Sequence, residues 1–195
     1  EKAHQAYEQA ASIMQALHIP YWESWLQANI GRLHHLRGDL TAAHAACEVG
    51  RRLATANGFQ MQEQWVRINH GRLLADQGDY AAAYQCYQPI FATPPPTHWI
   101  YRTVDAYAAR ADLLRQTNDL AGAVTHIETA LTLLEQLGLA AAYEPFTVYW
   151  TAVRIFTAAT DPRATTVLQT ANQQLQKIAA TLQDPVLRRS FLETV

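Results

Sequence analysis

The residues that could perform catalytic or metal-binding chemistry in this 195-residue chain are eight histidines and two cysteines. His34 and His35 are the only adjacent histidines. Because neighbouring residues of a helix point to different faces, this pair cannot hold one metal ion with good geometry. The chain also lacks His-Glu-x-x-His, Gly-x-Ser-x-Gly, Cys-x-x-Cys and a phosphate-binding glycine loop. We therefore expect a protein that is not an enzyme, with no catalytic residue, no metal and no cofactor.

The elements that position these residues follow a repeat of 40 residues. Each copy has a small residue in a first helix, a Gly-Asp or Asn-Asp turn and a small residue in a second helix. The three copies are Gly31, Gly38-Asp39 and Ala43; Gly71, Gly78-Asp79 and Ala83; and Ala111, Asn118-Asp119 and Ala123. A repeat period between 20 and 50 residues is typical of helical arrays.

The turn residues predict where one helix ends and the next begins. Gly or Asn can adopt the left-handed conformation that ends a helix, and the Asp that follows can accept N–H groups of the next helix. The small residues allow the two backbones to approach closely. A larger side chain at Ala83 is expected to cost about 1–3 kcal/mol through overpacking.

These residues resemble the tetratricopeptide repeat, which has Gly in the first helix, Gly-Asp-Tyr at the turn and Ala and an aromatic residue in the second. The best copy is His70-Gly71, Gly78-Asp79-Tyr80, Ala83 and Tyr87. The departures are Cys47 and Ile127 in place of the aromatic residue, and the longer period. Such longer repeats are similar to those of large bacterial signalling ATPases and transcriptional activators of the maltose-regulon type. The resemblance implies an all-α fold, a right-handed superhelical solenoid of stacked antiparallel helix pairs.

The pattern predicts a single repeat domain over residues 1–195. It comprises an orphan helix at 1–18, helix pairs at 20–58, 60–96, 97–138 and 143–183, and a terminal helix at 184–193. Because the chain starts without Met on the second helix of an interrupted repeat, we expect a fragment of a larger protein. A proline run at 94–96 is expected to end a helix. Two apolar stripes are expected to face the core, one of Ala6, Ala10, Ile13, Met14 and Leu17 and one of Ala164, Leu168, Ala171 and Leu175.

The resemblance also implies a binding surface, because the first helices of stacked tetratricopeptide units line a concave face. The family pattern selects a set of aromatic, amide and guanidinium side chains there, namely Trp25, Asn29, Arg32, Trp65, Asn69, Arg72, Arg115, Tyr149 and Trp150. Asn donates and accepts hydrogen bonds, and Arg can hold a carboxylate with two N–H groups. The set resembles the carboxylate clamp of chaperone adaptors. The alternative is that Asn29 and Asn69 bond to the backbone or to neighbouring polar groups, and that the Arg side chains are solvated or pair with Asp76 or Asp112.

The composition limits the partners of the chain. The formal net charge is −2, with 16% charged and 49% hydrophobic residues, and the sequence contains neither a basic stripe nor a long apolar run. We therefore expect no direct contact with nucleic acid and no membrane span. Cys47 and Cys86 fall in second helices of different repeats, which argues against a disulfide and favours the cytoplasm.

The sequence leaves three functions open. The first is an interaction scaffold in a bacterial signalling or transcription regulator that binds a peptide segment, from another protein or another domain of the parent chain, on the concave face. The second is a sensor of a small effector such as a sugar, stacked on Trp25, Tyr149 and Trp150. The third is a structural spacer or a homodimer formed through exposed repeat ends.

Overall fold

The computed structural model describes residues 2–92 and 100–194. Over these ranges the fold is all-α, as the repeat pattern predicts, with ten α-helices and no β-strand. The helices are α1 (Lys2–Ala16), α2 (Pro20–Leu36), α3 (Leu40–Ala56), α4 (Gln60–Asp76), α5 (Tyr80–Ala92), α6 (Ile100–Gln116), α7 (Leu120–Leu137), α8 (Pro145–Ala158), α9 (Arg163–Thr181) and α10 (Pro185–Thr194). A short 3-10 turn, Leu139–Ala141, lies between α7 and α8.

Each helix packs against the next helix along the chain. A second set of contacts joins alternate helices, since α2 contacts α4, α4 contacts α6 and α6 contacts α8. The first helices of the predicted pairs therefore lie side by side. This row is the part of the fold that brings the predicted binding residues near one another.

The turns between paired helices have the predicted geometry. Gly38, Gly78 and Asn118 all have positive φ, at 80°, 83° and 62°. The aspartate after each of them caps the following helix, because its Oδ1 accepts the N–H of Ala42, Ala82 or Gly122 at 2.9 to 3.1 Å. Three local sequence signals thus set the ends of six helices.

The small residues of the repeat lie at the contacts between paired helices. Ala43, Ala83, Ala111 and Ala123 are fully buried. Gly71 has the closest contact, because a Cβ added there would lie 2.6 Å from Cζ and 2.9 Å from Oη of the fully buried Tyr87. The tyrosine ring occupies the space that any larger residue at position 71 would need.

Two expectations about core-facing residues are wrong. Ile13 and Leu17 of α1 are 53% and 61% exposed, and Leu168 of α9 is 52% exposed. These helices lie near the two ends of the row, where fewer neighbours cover them. In α9, Val167 contacts the core in place of Leu168, while Ala164 and Ala171 pack there as expected. The proline run at 94–96 lies outside the described residues.

No helix within the described ranges is both long enough and apolar enough to span a lipid bilayer.

The contact between Gly71 and Tyr87 can be tested by substitution. We expect Gly71→Ala to lower the free energy of unfolding by about 2–3 kcal/mol, because the buried ring must move to admit the methyl group. Urea titration of Gly71→Ala, Tyr87→Leu and the double variant measures the effect. The cost of Gly71→Ala should be smaller in the Tyr87→Leu background. An equal cost in both backgrounds would contradict a clash with the ring.

Candidate functional site

The arginines at equivalent repeat positions on α2 and α4 meet one carboxylate. Arg32 Nε lies 3.3 Å from Glu144 Oε1, and Arg72 Nη1 lies 2.6 Å from Glu144 Oε2. The three side chains are largely removed from solvent, with exposures of 16% for Arg32, 11% for Arg72 and 26% for Glu144. Each carboxylate oxygen therefore has its own guanidinium partner.

Glu144 is placed by the connection between α7 and α8, residues 138–144. This connection begins at Gly138, whose φ of 81° turns the chain away from α7, and ends before Pro145, the first residue of α8. Its last two residues are held by Asp105 of α6. Asp105 Oδ2 accepts the N–H of Tyr143 at 2.8 Å, and Asp105 Oδ1 accepts the N–H of Glu144 at 3.3 Å. Asp105 is fully buried, so these two bonds fix the segment firmly.

The other residue of this pair, Tyr143, lies against Trp65. The ring centroids are 4.7 Å apart with an interplanar angle of 31°. Trp65 is 2% exposed, whereas Tyr143 is 43% exposed. An aromatic residue followed by a glutamate thus occupies the surface formed by Trp65, Arg72 and Arg32, which we call the arginine face.

Burial and charge act in opposite directions on the carboxyls of the site. Burial tends to raise the pKa of Glu144, but the charges and hydrogen bonds of Arg72 and Arg32 outweigh it and hold this pKa below its usual value. The pKa of Asp105 is raised, because burial outweighs the opposing effects of Arg72 and of the two backbone N–H groups. Burial and the neighbouring Arg72 lower the pKa of Arg32. Glu144 is therefore charged at neutral pH and offsets part of the charge of the two arginines.

A cavity of about 180 Å³ lies beside the arginine face. Helices α2, α4, α5, α6 and α8 all contribute to its lining, which includes Arg72, Tyr87, Gln116, Trp150 and Arg154. Two buried polar atoms of these residues, Arg72 Nη2 and Tyr87 Oη, have no hydrogen-bond partner. We call this space the central cavity.

The acidic residues of the central cavity already have partners. Asp112 contacts Arg115 at 2.8 Å, Gln116 at 2.9 Å and Arg154 at 3.1 Å. Asp76 contacts His35 Nε2 at 2.9 Å, and this bond lowers the pKa of Asp76. The pairing of Arg115 with Asp112 is the one that the alternative interpretation of the sequence described.

The two predicted asparagines bond to backbone. Asn29 Nδ2 donates to Trp25 O of its own helix at 2.7 Å, and the buried Asn69 donates to Ala28 O of α2 at 3.4 Å. Asn69 Oδ1 has no partner. Asn69 therefore joins α4 to α2, whereas the bond of Asn29 stays within α2.

The predicted aromatic residues lie in separate environments. Trp25 packs against Tyr7 and Trp22 at the start of the chain, with centroid distances of 6.2 Å to each. Tyr149 is 8% exposed and lines a different depression, between α7 and α9. Trp150 is 56% exposed and lines the central cavity. The structure therefore brings Arg32, Arg72 and Trp65 together, and it does not gather Trp25, Tyr149 and Trp150 around one ligand.

Sequence reasoning missed Glu144, Asp105 as a backbone anchor, and Tyr87 as a cavity residue. One signal was present, because Asp105 stands 40 residues after Trp65 and breaks the run of tryptophans at positions 25 and 65. Asp112 likewise reverses the charge of Arg32 and Arg72 at the same repeat position. The third repeat therefore departs from the first two at Asp105 and Asp112. Asp105 is also the residue that bonds to the α7–α8 connection.

The arrangement suits the binding of carboxylates. Burial raises the pKa of the Cys47 thiol to about 12, so this thiol stays protonated at neutral pH. Among the residues described, no group of three His, Cys, Asp or Glu side chains is placed to hold a metal ion.

The site can bind a carboxylate mainly through charged hydrogen bonds from Arg, which are stronger than neutral ones.

Comparison of the chain with models of protein families, with curated proteins and with solved structures finds no significant match.

Removal of the shared carboxylate tests the energetics of the arginine face. We expect Glu144→Ala to cost about 2–3 kcal/mol, somewhat less than the rupture of a fully buried ion pair, because the two arginines are left without an anion. Chemical denaturation measures the loss. The matched control is Glu48→Ala, which breaks an exposed pair with Arg51 and should cost no more than about 1 kcal/mol. Equal costs for the two variants would contradict a special role for Glu144.

The same pair predicts a dependence on pH. Since the pKa of Glu144 is lowered in the folded protein, its contribution is complete above the usual glutamate pKa of about 4.3 and is lost as the pH falls through the folded value. The difference in unfolding free energy between the wild type and Glu144→Gln should therefore shrink when the pH is lowered from about 6 to about 3.5. Asp105 is present in both proteins, so its opposite contribution largely cancels. A constant difference would show that the charge of Glu144 is not the source of the stabilisation.

Proposed function

We propose that this chain is a non-catalytic interaction domain whose arginine face binds a peptide segment that carries an aromatic residue followed by a carboxylate. The observation that carries this proposal is the placement of Glu144 between Arg32 and Arg72, with Tyr143 on Trp65. The chain's own connection thus serves as a template for the ligand. It indicates which side chains the face accepts and in which order.

We further propose that the ten helices form a tetratricopeptide-like solenoid in a bacterial signalling or transcription regulator. The contacts of α2 with α4, α4 with α6 and α6 with α8 support a row of stacked first helices. The repeated turns and small residues support the same arrangement. Cys47 and Cys86 are free thiols, which fits a reducing compartment such as the cytoplasm.

An external segment would bind by exchange with the chain's own Tyr143 and Glu144. A segment of another protein, or of another domain of the parent chain, offers the same two side chains to Trp65 and to the arginines. Because the local segment is tethered, it competes at a high effective concentration. Exchange therefore requires either a tighter ligand or a change that loosens the α7–α8 connection.

A second function, the sensing of a small molecule, is favoured by the central cavity. Its volume of about 180 Å³ and its unpartnered polar atoms suit a compact polar ligand. Stacking of a sugar on Trp25, Tyr149 and Trp150 together has no support from their positions. A sensor would therefore use the cavity and Trp150 alone among these three aromatic residues.

The peptide proposal is tested by removing the side chains of Tyr143 and Glu144 from the arginine face and supplying them on a separate peptide. A peptide that copies residues 139–148 is titrated by calorimetry into the wild type and into Tyr143→Ser/Glu144→Ser. We expect the peptide to bind the vacated variant at least about tenfold more tightly, because the tethered competitor is gone. Addition of Arg72→Ala to the vacated variant should abolish this binding.

The control peptide has Ser in place of Tyr and Glu at the same positions. Binding of this control with equal affinity would show that the two side chains are not recognised. Absence of binding to the vacated variant would overturn the proposal that the face recognises peptides.

A further inference from the structure

We propose that the central cavity is a binding site for a small carboxylate that has the size of an amino acid or a hydroxy acid. Glu144 is not among the residues that line this cavity, and the site does not depend on the recognition of a peptide. The site is supported by two unpartnered buried polar atoms, by the charges of the lining and by the size of the space.

Arg72 belongs to both sites, because it contacts Glu144 and also lines the cavity. Its Nη1 contacts Glu144 at 2.6 Å, whereas its Nη2 is buried and has no partner. A buried guanidinium N–H without an acceptor is costly, and a carboxylate is its best acceptor. The geometry therefore leaves one donor of a nearly buried cation for a ligand.

Tyr87 supplies a second donor beside it. The ring is fully buried in the space that Gly71 leaves open, so the hydroxyl is held in one position. Tyr87 Oη also lacks a partner, and Tyr87 lines the same cavity. A buried hydroxyl is normally hydrogen-bonded. An anionic oxygen that reached both Tyr87 Oη and Arg72 Nη2 would satisfy both groups.

The remaining lining defines the other end of the ligand. Asp112 lines the cavity and contacts Arg115, Gln116 and Arg154. Thr151, a residue that is 6% exposed, adds a hydroxyl to the lining. These groups accept hydrogen bonds as well as donate them. A ligand with a hydroxyl or ammonium group opposite its carboxylate fits this mixed lining better than a simple anion does.

The volume limits the size of the ligand. A cavity of about 180 Å³ has room for several water molecules. That space accommodates a compact molecule. The half-exposed Trp150 lines the cavity where it meets solvent, so its ring would cover a bound ligand.

The test begins with thermal unfolding of the whole chain in the presence of defined probes. The carboxylates are glycolate, succinate, L-serine and L-glutamine, and the comparison compounds are succinamide, inorganic phosphate and glucose. At a ligand concentration about ten times the Kd, we expect at least one carboxylate to raise the Tm by about 3 °C or more. Succinamide, which lacks the charge, should give no rise.

Calorimetry with the best carboxylate then locates the site. Tyr87→Phe removes only the unpartnered hydroxyl, so the fold should persist while the affinity falls about tenfold. Trp150→Ala should also weaken binding, because the exposed cover is lost. Tyr149→Phe is the matched control, since this tyrosine of the same helix lines a different depression, and the affinity should not change.

Three outcomes would overturn the proposal. They are no Tm rise with any carboxylate at about 10 mM, equal affinity in the wild type and Tyr87→Phe, and a response to phosphate or glucose alone. The variants of this test leave Tyr143 and Glu144 in place. Failure here is therefore distinct from failure of the peptide experiment.

Discussion

The placement of one carboxylate between two guanidinium groups is the constraint on which the rest of this structure depends. Arg32 on α2 and Arg72 on α4 are brought close by the stacking of the first helices, and two neighbouring cations largely removed from water need an anion. Glu144 supplies it from a segment that Asp105 of α6 holds by two backbone N–H groups. A single ion cluster therefore connects α2, α4 and α6 with the start of α8, and it sets how these helices lie relative to one another.

The arginine face and the central cavity are two results of the same geometry. The small residues of the repeat let the paired helices approach closely, and Gly71 in particular admits the ring of Tyr87. Arg72 and Tyr87 both line the central cavity, and Arg72 Nη2 and Tyr87 Oη are buried without a hydrogen-bond partner. Close packing in one place thus leaves polar groups without partners in another. This combination is typical of sites that are completed by a ligand.

Local sequence signals were sufficient for the helices and their turns. Gly38, Gly78 and Asn118 each require a backbone conformation that few residues adopt, and the aspartates that follow have a side chain of the right length to cap a helix. The position of Arg32 and Arg72 on one face also followed from the period. The identity of their partner did not, because Glu144 lies outside the repeat register and 72 residues from Arg72. The exposure of Leu168 could not be foreseen either, since Val167 and Leu168 both fit the helical spacing between Ala164 and Ala171.

The sequence separation of the ion cluster affects how this fold is assembled. In an array whose units contact only their neighbours, each unit can form or melt with little regard to distant ones. The contact of Arg32 with Glu144 spans 112 residues and passes over the intervening helix pairs. Formation of this contact closes a long loop. The entropic cost of that closure is offset only when the intermediate helices have already formed. The contact therefore couples the first complete pair to the start of the last. The helices from α2 to α8 are expected to unfold as one cooperative body, whereas α1, α9 and α10 lie outside the loop that the contact closes.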